Sequence, residues 1–460
     1  MGEAKNLDNT SGSSKKVLLV KYFIPALLVL WCARIWHFYS NPFSLLFSNS
    51  TVGVSEIQTD PNYCNPIGLI GDSPCEFETI NVVNQDISSE LHRLVQTPFF
   101  RYYKLNLHKQ CPFWPNNYLC NREDCSVEVM DEAEVPEELK KKLGAIDFSP
   151  AGLGLQPFKK CEFTEKDFCV LEDESSQDGV YVNLIRNPER FTGYTGAPAH
   201  KIWQAIYEEN CFAPIRLISD GNDHISPMTN ALVDSTKEED ETCLEKRVFY
   251  RLMSGLHASI SVHICDEYFN QTTGQWGSNF ECFHERVGKH ADRIENIYFN
   301  YAILLRALNK MSIYLQRYDF CSGNPGEDAS IKEILNRILK LSKSSPPTFD
   351  EKALFSDSAS MILKEEFKDH FRNVTRIMDC VGCEKCRLWG KIQTTGLGTA
   401  LKVLFSYDDY KFGARGNPNI LQRSEIVALI NTFNRFAESI SSIQRFRKMY
   451  FEKKDEIYHL

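Results

Sequence analysis

Residues 380–405 read CVGCEKCRLWGKIQTTGLGTALKVLF, and the way this stretch folds decides what the chain can do. Its apolar residues recur at three- and four-residue spacing, which predicts a helix from about Cys383 to Leu404. On a helix, Cys380, Cys383 and Cys386 lie at i, i+3 and i+6, neighbours along one flank. A Cys-x-x-Cys pair at a helix start can close a disulfide. The helix dipole and the nearby Lys385, Arg387 and Lys391 favour the thiolate, the reactive form. The GLG within the run is not a dinucleotide loop, because no strand pattern precedes it and Leu401 stands where a third glycine is needed. An iron–sulfur cluster would want a fourth cysteine at the position of Gly390, and zinc would want a second ligand pair nearby. A purely structural bridge between cysteines three apart closes too small a loop to stabilise much. Redox chemistry fits these residues best, with a metal site and a structural brace as the rivals.

Working outward, long helical patterns cover Leu244–Phe269, Arg293–Arg317 and Ser424–Met449, with shorter ones at Ile331–Leu341 and Ser358–Asp379. Breaks fall at 219–230, 323–330, 342–349 and 408–419, where Gly, Pro, Asn, Asp and Ser gather. Strand alternation is scarce, no internal repeat is evident, and the expected fold is a mainly α, single helical domain. A second cysteine pair sits in KQCPFWPNNYLCNREDCS: Cys120 and Cys125 have four residues between them in a polar, Pro- and Asn-rich loop. A short bridge on such a loop does little for stability and is well placed to meet another protein's dithiol. One loop-borne and one helix-borne dithiol predict a relay by thiol–disulfide exchange that needs a final electron acceptor.

The chain has 460 residues, 43% hydrophobic and 25% charged, with a formal net charge of −9 and no long basic run. Phosphate contacts supply most nucleic-acid affinity, so a nucleic-acid partner is not expected. Sixteen cysteines spread along the chain point to an oxidising compartment. A matching targeting segment follows Lys15 and Lys16: residues 17–38 are apolar except for Lys21 and Arg34, long enough to span a bilayer. With no small-residue cleavage site behind it, this segment reads as an uncleaved anchor, and its flanking lysines place the N-terminus in the cytosol and the body in the lumen. The expected organisation is a cytosolic tail at 1–16, a transmembrane signal anchor at 17–38, a stalk at 39–63 and a lumenal domain at 64–460. The start MGEAKN lacks the Ser/Thr that myristoylation wants, and the end IYHL is not a retrieval signal. Sequons at Asn49, Asn270 and Asn373 lie beyond the anchor, and Asn270 and Asn373 are the candidate glycosylation sites. With Cys32 inside the anchor, fifteen cysteines are lumenal, so at least one is unpaired or pairs between molecules.

The runs CPFW with its following C-x4-C, NPERFTGYTG, KIWQAIYEENC, CLEKRVFYRLMSGLHASI and CVGCEKCRLWGKIQTTGLGTALKVLF resemble the endoplasmic reticulum oxidoreductin family. These are flavin-dependent thiol oxidases that recharge protein disulfide isomerase, and the match runs from about Cys64 to Met449. The resemblance implies a helix-bundle core holding FAD, braced by disulfides behind the N-terminal anchor in the endoplasmic reticulum membrane. It implies a shuttle pair Cys120–Cys125 and an active-site pair Cys383–Cys386, with Cys386 facing the flavin and Cys383 exchanging with the shuttle. Electrons would pass from protein disulfide isomerase through both pairs to FAD and then to O2, giving hydrogen peroxide.

It also implies structural bridges Cys111–Cys380 and Cys211–Cys243, with Cys64–Cys75 as the pair nearest the N-terminus. FAD would be held by Arg190, Thr192, Tyr194, Trp203, Ser254, His257, Arg286 and Arg293. These types suit the task, since Ser254 and His257 share a helix face, Trp203 can stack on a ring and arginines grip a pyrophosphate. No metal ligands are implied. The extra regulatory cysteine that some family members carry five residues after the shuttle pair is Met130 here, and Cys161, Cys169, Cys265, Cys282 and Cys321 have no assigned role. The rival outside the enzyme class is an anchored, disulfide-braced interaction protein.

Overall fold

The computed structural model describes residues 60–114, 126–140, 167–170, 177–190, 196–210, 212, 243–320, 324–343, 347–407 and 420–458. The chain separates into two units, Met1–Pro61 and Asn62–Leu460, and only residues 60–61 of the first are described. The expected tail, anchor and most of the stalk therefore lie outside the described residues. Among the described residues no helix is long and apolar enough to cross a membrane.

The second unit is mainly helical, as its periodicity predicts. Its longer helices are α1 (Phe77–Val95), α2 (Ala197–Glu208), α3 (Leu244–Asp266), α4 (Ala291–Lys310), α5 (Pro325–Lys343), α6 (Ser358–Ile377), α7 (Glu384–Phe405) and α8 (Arg423–Tyr458). Among the described residues there are also two small antiparallel pairings: β1 (Tyr102–Leu105) with β2 (Val180–Asn183), and the hairpin of β3 (Tyr268–Asn270) with β4 (Gln275–Gly277). Two expected boundaries moved. The pattern through Phe269 ends as helix at Asp266 because the β3–β4 hairpin takes over, and the pattern through Arg317 breaks at Met311 before a short helix, Ser312–Arg317.

Helix α7 is the centre of the bundle, since every residue from Arg387 to Leu404 is buried. It packs against α8 and α4, α3 packs against α4 and α8, and α1 with α5 covers a flank. The GLG run lies mid-helix in α7. At Gly396 a Cβ would press into Thr432 and come within 2.6 Å of the Ala428 carbonyl, so glycine here is what lets α8 approach. Burying this helix also requires pairing its charge: Lys402 donates to Glu425 at 2.8 Å and lies 3.3 Å from Asp167.

Candidate active site

The start of α7 organises the site. Cys383 is its N-cap, and its Sγ accepts a hydrogen bond from Cys386 N at 3.3 Å, so one turn holds both sulfurs at the positive end of the helix dipole. Cys383 is fully buried at 0% exposure, so an attacking thiol reaches it only if covering chain moves aside. Cys386 is partly exposed and lines a cavity of about 290 Å³. One turn before the N-cap, Cys380 is joined to Cys111 by a disulfide, with Cα atoms 4.4 Å apart across a sequence separation of 269. That bond fastens the chain just before the Cys120/Cys125 loop to the start of α7. Arg387 reinforces it by donating to the carbonyls of Val381, Leu107 and Lys109. On the far side of the loop, Val127 N donates to Glu384 Oε2 at 3.3 Å. Both roots of the loop are thus tied to the turn that carries Cys383 and Cys386. Cys120 and Cys125 themselves lie outside the described residues.

The cavity is walled by the segment 189–190, by α2, by α3 and by the start of α7. Of the candidate cofactor residues, Arg190, Trp203, His257 and Arg286 line it together with Cys386. Trp203 and His257 are stacked, with ring centroids 3.8 Å apart and an angle of 14°. Burial, and then the charges of Arg293 and Arg286, push His257 down to about 3, so its ring is neutral at physiological pH. Its Nδ1 lies 3.2 Å from Tyr207 Oη, a phenol that burial pushes up to about 12. Arg190 donates to Glu267 at 2.7 Å and lies over Trp276. Ser254 and Arg293 are not among the residues that line the cavity. Ser254 Oγ accepts from Asn296 at 3.0 Å, and Arg293 donates to the Arg286 carbonyl. Thr192 and Tyr194 lie outside the described residues.

These residues fit a planar, anionic cofactor. Arg286 is partly buried with no carboxylate in ion-pair range among the described residues, and burial lowers its hold on its proton. A phosphate would relieve that cost. The N-terminus of α2 opens on the same cavity through Gly196 and Ala199, another surface suited to an anion. Gly390 keeps the floor open beside Met378, whose Sδ would lie 2.6 Å from an added Cβ.

Sequence reasoning missed the support behind this wall. Glu189 is 6% exposed, and its carboxylate receives Gln393 Nε2 on both oxygens at 3.0 Å and Arg435 Nε at 2.9 Å. Trp389 Nε1 donates to the Asn187 carbonyl at 2.7 Å. These contacts pin the segment carrying Arg190 to α7 and α8. The acidic Glu189 beside Arg190 reads as an ordinary surface residue, and nothing local announces a partner 246 residues away.

The cysteines also depart from expectation. Cys265 at the end of α3 is bonded to Cys282, a pair left unassigned from sequence, because the β3–β4 hairpin between them folds the chain back. The expected Cys64–Cys75 bond is not formed in this structure. Cys75 carries a free thiol directed at the Glu76 carbonyl, and the Cys64 thiol faces the Gly288 carbonyl. Cys243 caps α3 with a free thiol, while Cys211 lies outside the described residues. Asn270 is exposed in the β3–β4 hairpin, whereas Asn373 sits on α6 and donates to Glu209 at 3.1 Å.

Known proteins match this chain over most of its length. The family model described as Endoplasmic Reticulum Oxidoreductin 1 (ERO1) matches residues 86–443. The chain is 38% identical to endoplasmic reticulum oxidoreductin-1 of Neurospora crassa, covering 85% of this chain and 69% of that protein. It is 39% identical to human ERO1-like protein alpha, covering 84% of this chain and 92% of that protein. A solved structure of Ero1p, described as the source of disulfide bonds for oxidative protein folding in the cell, superposes with a TM-score of 0.63 at 32% identity. The superposition covers 83% of this chain and 99% of that one.

Proposed function

Since the chain belongs to the endoplasmic reticulum oxidoreductin family, a thiol oxidoreductase of oxidative protein folding, we propose that it reoxidises protein disulfide isomerase through two dithiols, FAD and O2. In this reading the body works in the lumen of the endoplasmic reticulum behind an anchor at residues 17–38, with Asn270 and Asn373 as glycan acceptors. A reduced isomerase gives up its electrons to Cys120–Cys125 on the loop. A thiolate of that pair then attacks Cys383 Sγ, the Cys383–Cys386 bond breaks, and Cys386 leaves as a thiolate facing the cavity. The second shuttle thiol resolves the mixed disulfide, which restores Cys120–Cys125 and leaves Cys383 and Cys386 reduced.

When bound, FAD would take two electrons from this dithiol and deliver them to O2, giving hydrogen peroxide. The residues of the chain supply the rest. Trp203, stacked on neutral His257, offers a flat apolar face for a ring, and Arg286 with the N-terminus of α2 meets the phosphates. Thr192, Tyr194, Ser254 and Arg293 complete or back that surface in this reading. The Cys111–Cys380 bond and the Val127–Glu384 hydrogen bond keep the two roots of the shuttle loop at Cys383, so exchange is intramolecular and favoured by proximity.

The observation that carries the proposal is a cavity holding Cys386, the Trp203–His257 stack and a partly buried Arg286 with no carboxylate in ion-pair range among the described residues. Arg286→Gln is expected to weaken FAD retention by about tenfold to a hundredfold, the worth of a charge-assisted hydrogen bond to phosphate. A flavin-fluorescence titration of the stripped protein checks this. Unchanged affinity would remove Arg286 from the cofactor site.

A further inference from the structure

Four cations lie near the active-site turn, and the structure separates them. Arg387 is spent on the carbonyls of Val381, Leu107 and Lys109. Lys391 is paired with the buried Asp379, and Lys109 lies 3.8 Å from the same carboxylate. Lys385 alone among them lines the cavity with Cys386, and it has no carboxylate in ion-pair range among the described residues.

The other ionisable groups lining the cavity are accounted for. Glu189 is held by Gln393 and Arg435, and Arg190 by Glu267. His257 is neutral, and Arg286 sits close enough to His257 to depress it. Among the described residues, His200 on α2 is the remaining titratable side chain lining the cavity. Glu384, the other residue between the two cysteines, has its carboxylate on Val127 N.

We propose that Lys385 stabilises the Cys386 thiolate that leaves when a shuttle thiol attacks Cys383. This inference rests on the relay proposed above. In that step one S–S bond forms at Cys383 and the Cys383–Cys386 bond breaks. Cys386 takes the electron pair as a thiolate, and no proton or outside oxidant is needed. A cation adjacent to a leaving thiolate lowers the energy of the products and of the transition state that resembles them. The dipole of α7 acts on both sulfurs of this first turn, so Lys385 on the cavity wall beside Cys386 is the charge that favours the cavity-side sulfur as the leaving group.

The test uses the full-length protein reduced under anaerobic conditions. Cys386 and Cys383 are alkylated with iodoacetamide across pH 5.5–9, and the modified peptides are quantified by mass spectrometry. In Lys385→Gln, Cys386 labelling near pH 6 is expected to fall about tenfold, the scale of one cation near an ionising group. Lys385→Arg should restore the profile to within about twofold, and at pH 9 the variants should converge. A purely structural role for Lys385 would move no pH profile and would not be rescued by arginine. An unchanged Cys386 profile in Lys385→Gln, or a change confined to Cys383, overturns the inference. The alkylation reads the thiols themselves, so it stands or falls whether or not the protein carries flavin. Failure of the relay would appear separately, as a colourless protein with an intact Lys385 effect.

Discussion

Cys383→Ala is expected to keep its flavin and to lose at least about a thousandfold of its oxidase activity toward a reduced thioredoxin-like protein, the scale seen when a residue that forms a covalent intermediate is removed. The reason is positional. Cys383 is the N-cap of α7, fully buried, and it does not line the cavity that holds Cys386 and Arg286. In the proposed relay, removing its sulfur takes away the step from the Cys120–Cys125 pair to Cys386, while the Trp203–His257 stack and Arg286 stay in place. Alanine caps a helix poorly, so a stability loss of about 1 kcal/mol should accompany the change. Oxygen consumption measures the activity and the visible spectrum measures the flavin. Loss of the flavin, or retained activity, would count against the relay.

Arg435→Leu should have the largest effect on the fold. It removes the cation held 2.9 Å from Glu189 and stacked over Trp389, leaving a buried carboxylate supported by Gln393. Breaking a buried pair from one side costs about 3–5 kcal/mol. The segment that carries Arg190 would loosen with it, so flavin retention should fall too. Burial already raises the Glu189 carboxyl above its ordinary value of 4.5 even with Arg435 beside it, and the variant raises it further. A carboxyl that holds its proton more tightly folded than unfolded stabilises the fold at low pH. That contribution is lost as pH rises from about 4.5 through the folded value. The variant should therefore lose stability across that rise relative to the parent. Urea midpoints at several pH values check this, and parallel pH profiles would refute it.

Much of this site was legible in the sequence because it depends on local periodicity and on residue types that cluster in the chain. The helix through Cys383 and Leu404 follows from apolar spacing, and the structure places it at Glu384–Phe405. The grouping of Arg190, Trp203, His257 and Arg286 came from a family resemblance, since each residue alone reads as ordinary core or surface. Other features depend on distant partners and left no local signal. The Glu189–Arg435 pair and the Cys265–Cys282 bond join residues that only the tertiary fold brings together. Helix α1 was missed although Phe77, Ile80, Val83, Ile87, Leu91 and Leu94 carry a helical spacing, because Asn81, Asn84, Gln85 and Asp86 interrupt it. The strands β1 and β2 are too short to alternate visibly, and their pairing depends on the fold around them.

The most direct test of the account is an anaerobic titration of the purified full-length protein with reduced protein disulfide isomerase, followed in the visible spectrum. The account predicts flavin bands that bleach as isomerase dithiol is consumed. On admitting air they should return, with hydrogen peroxide released in proportion. A colourless protein, or flavin bands that the reduced isomerase leaves unchanged, would contradict it.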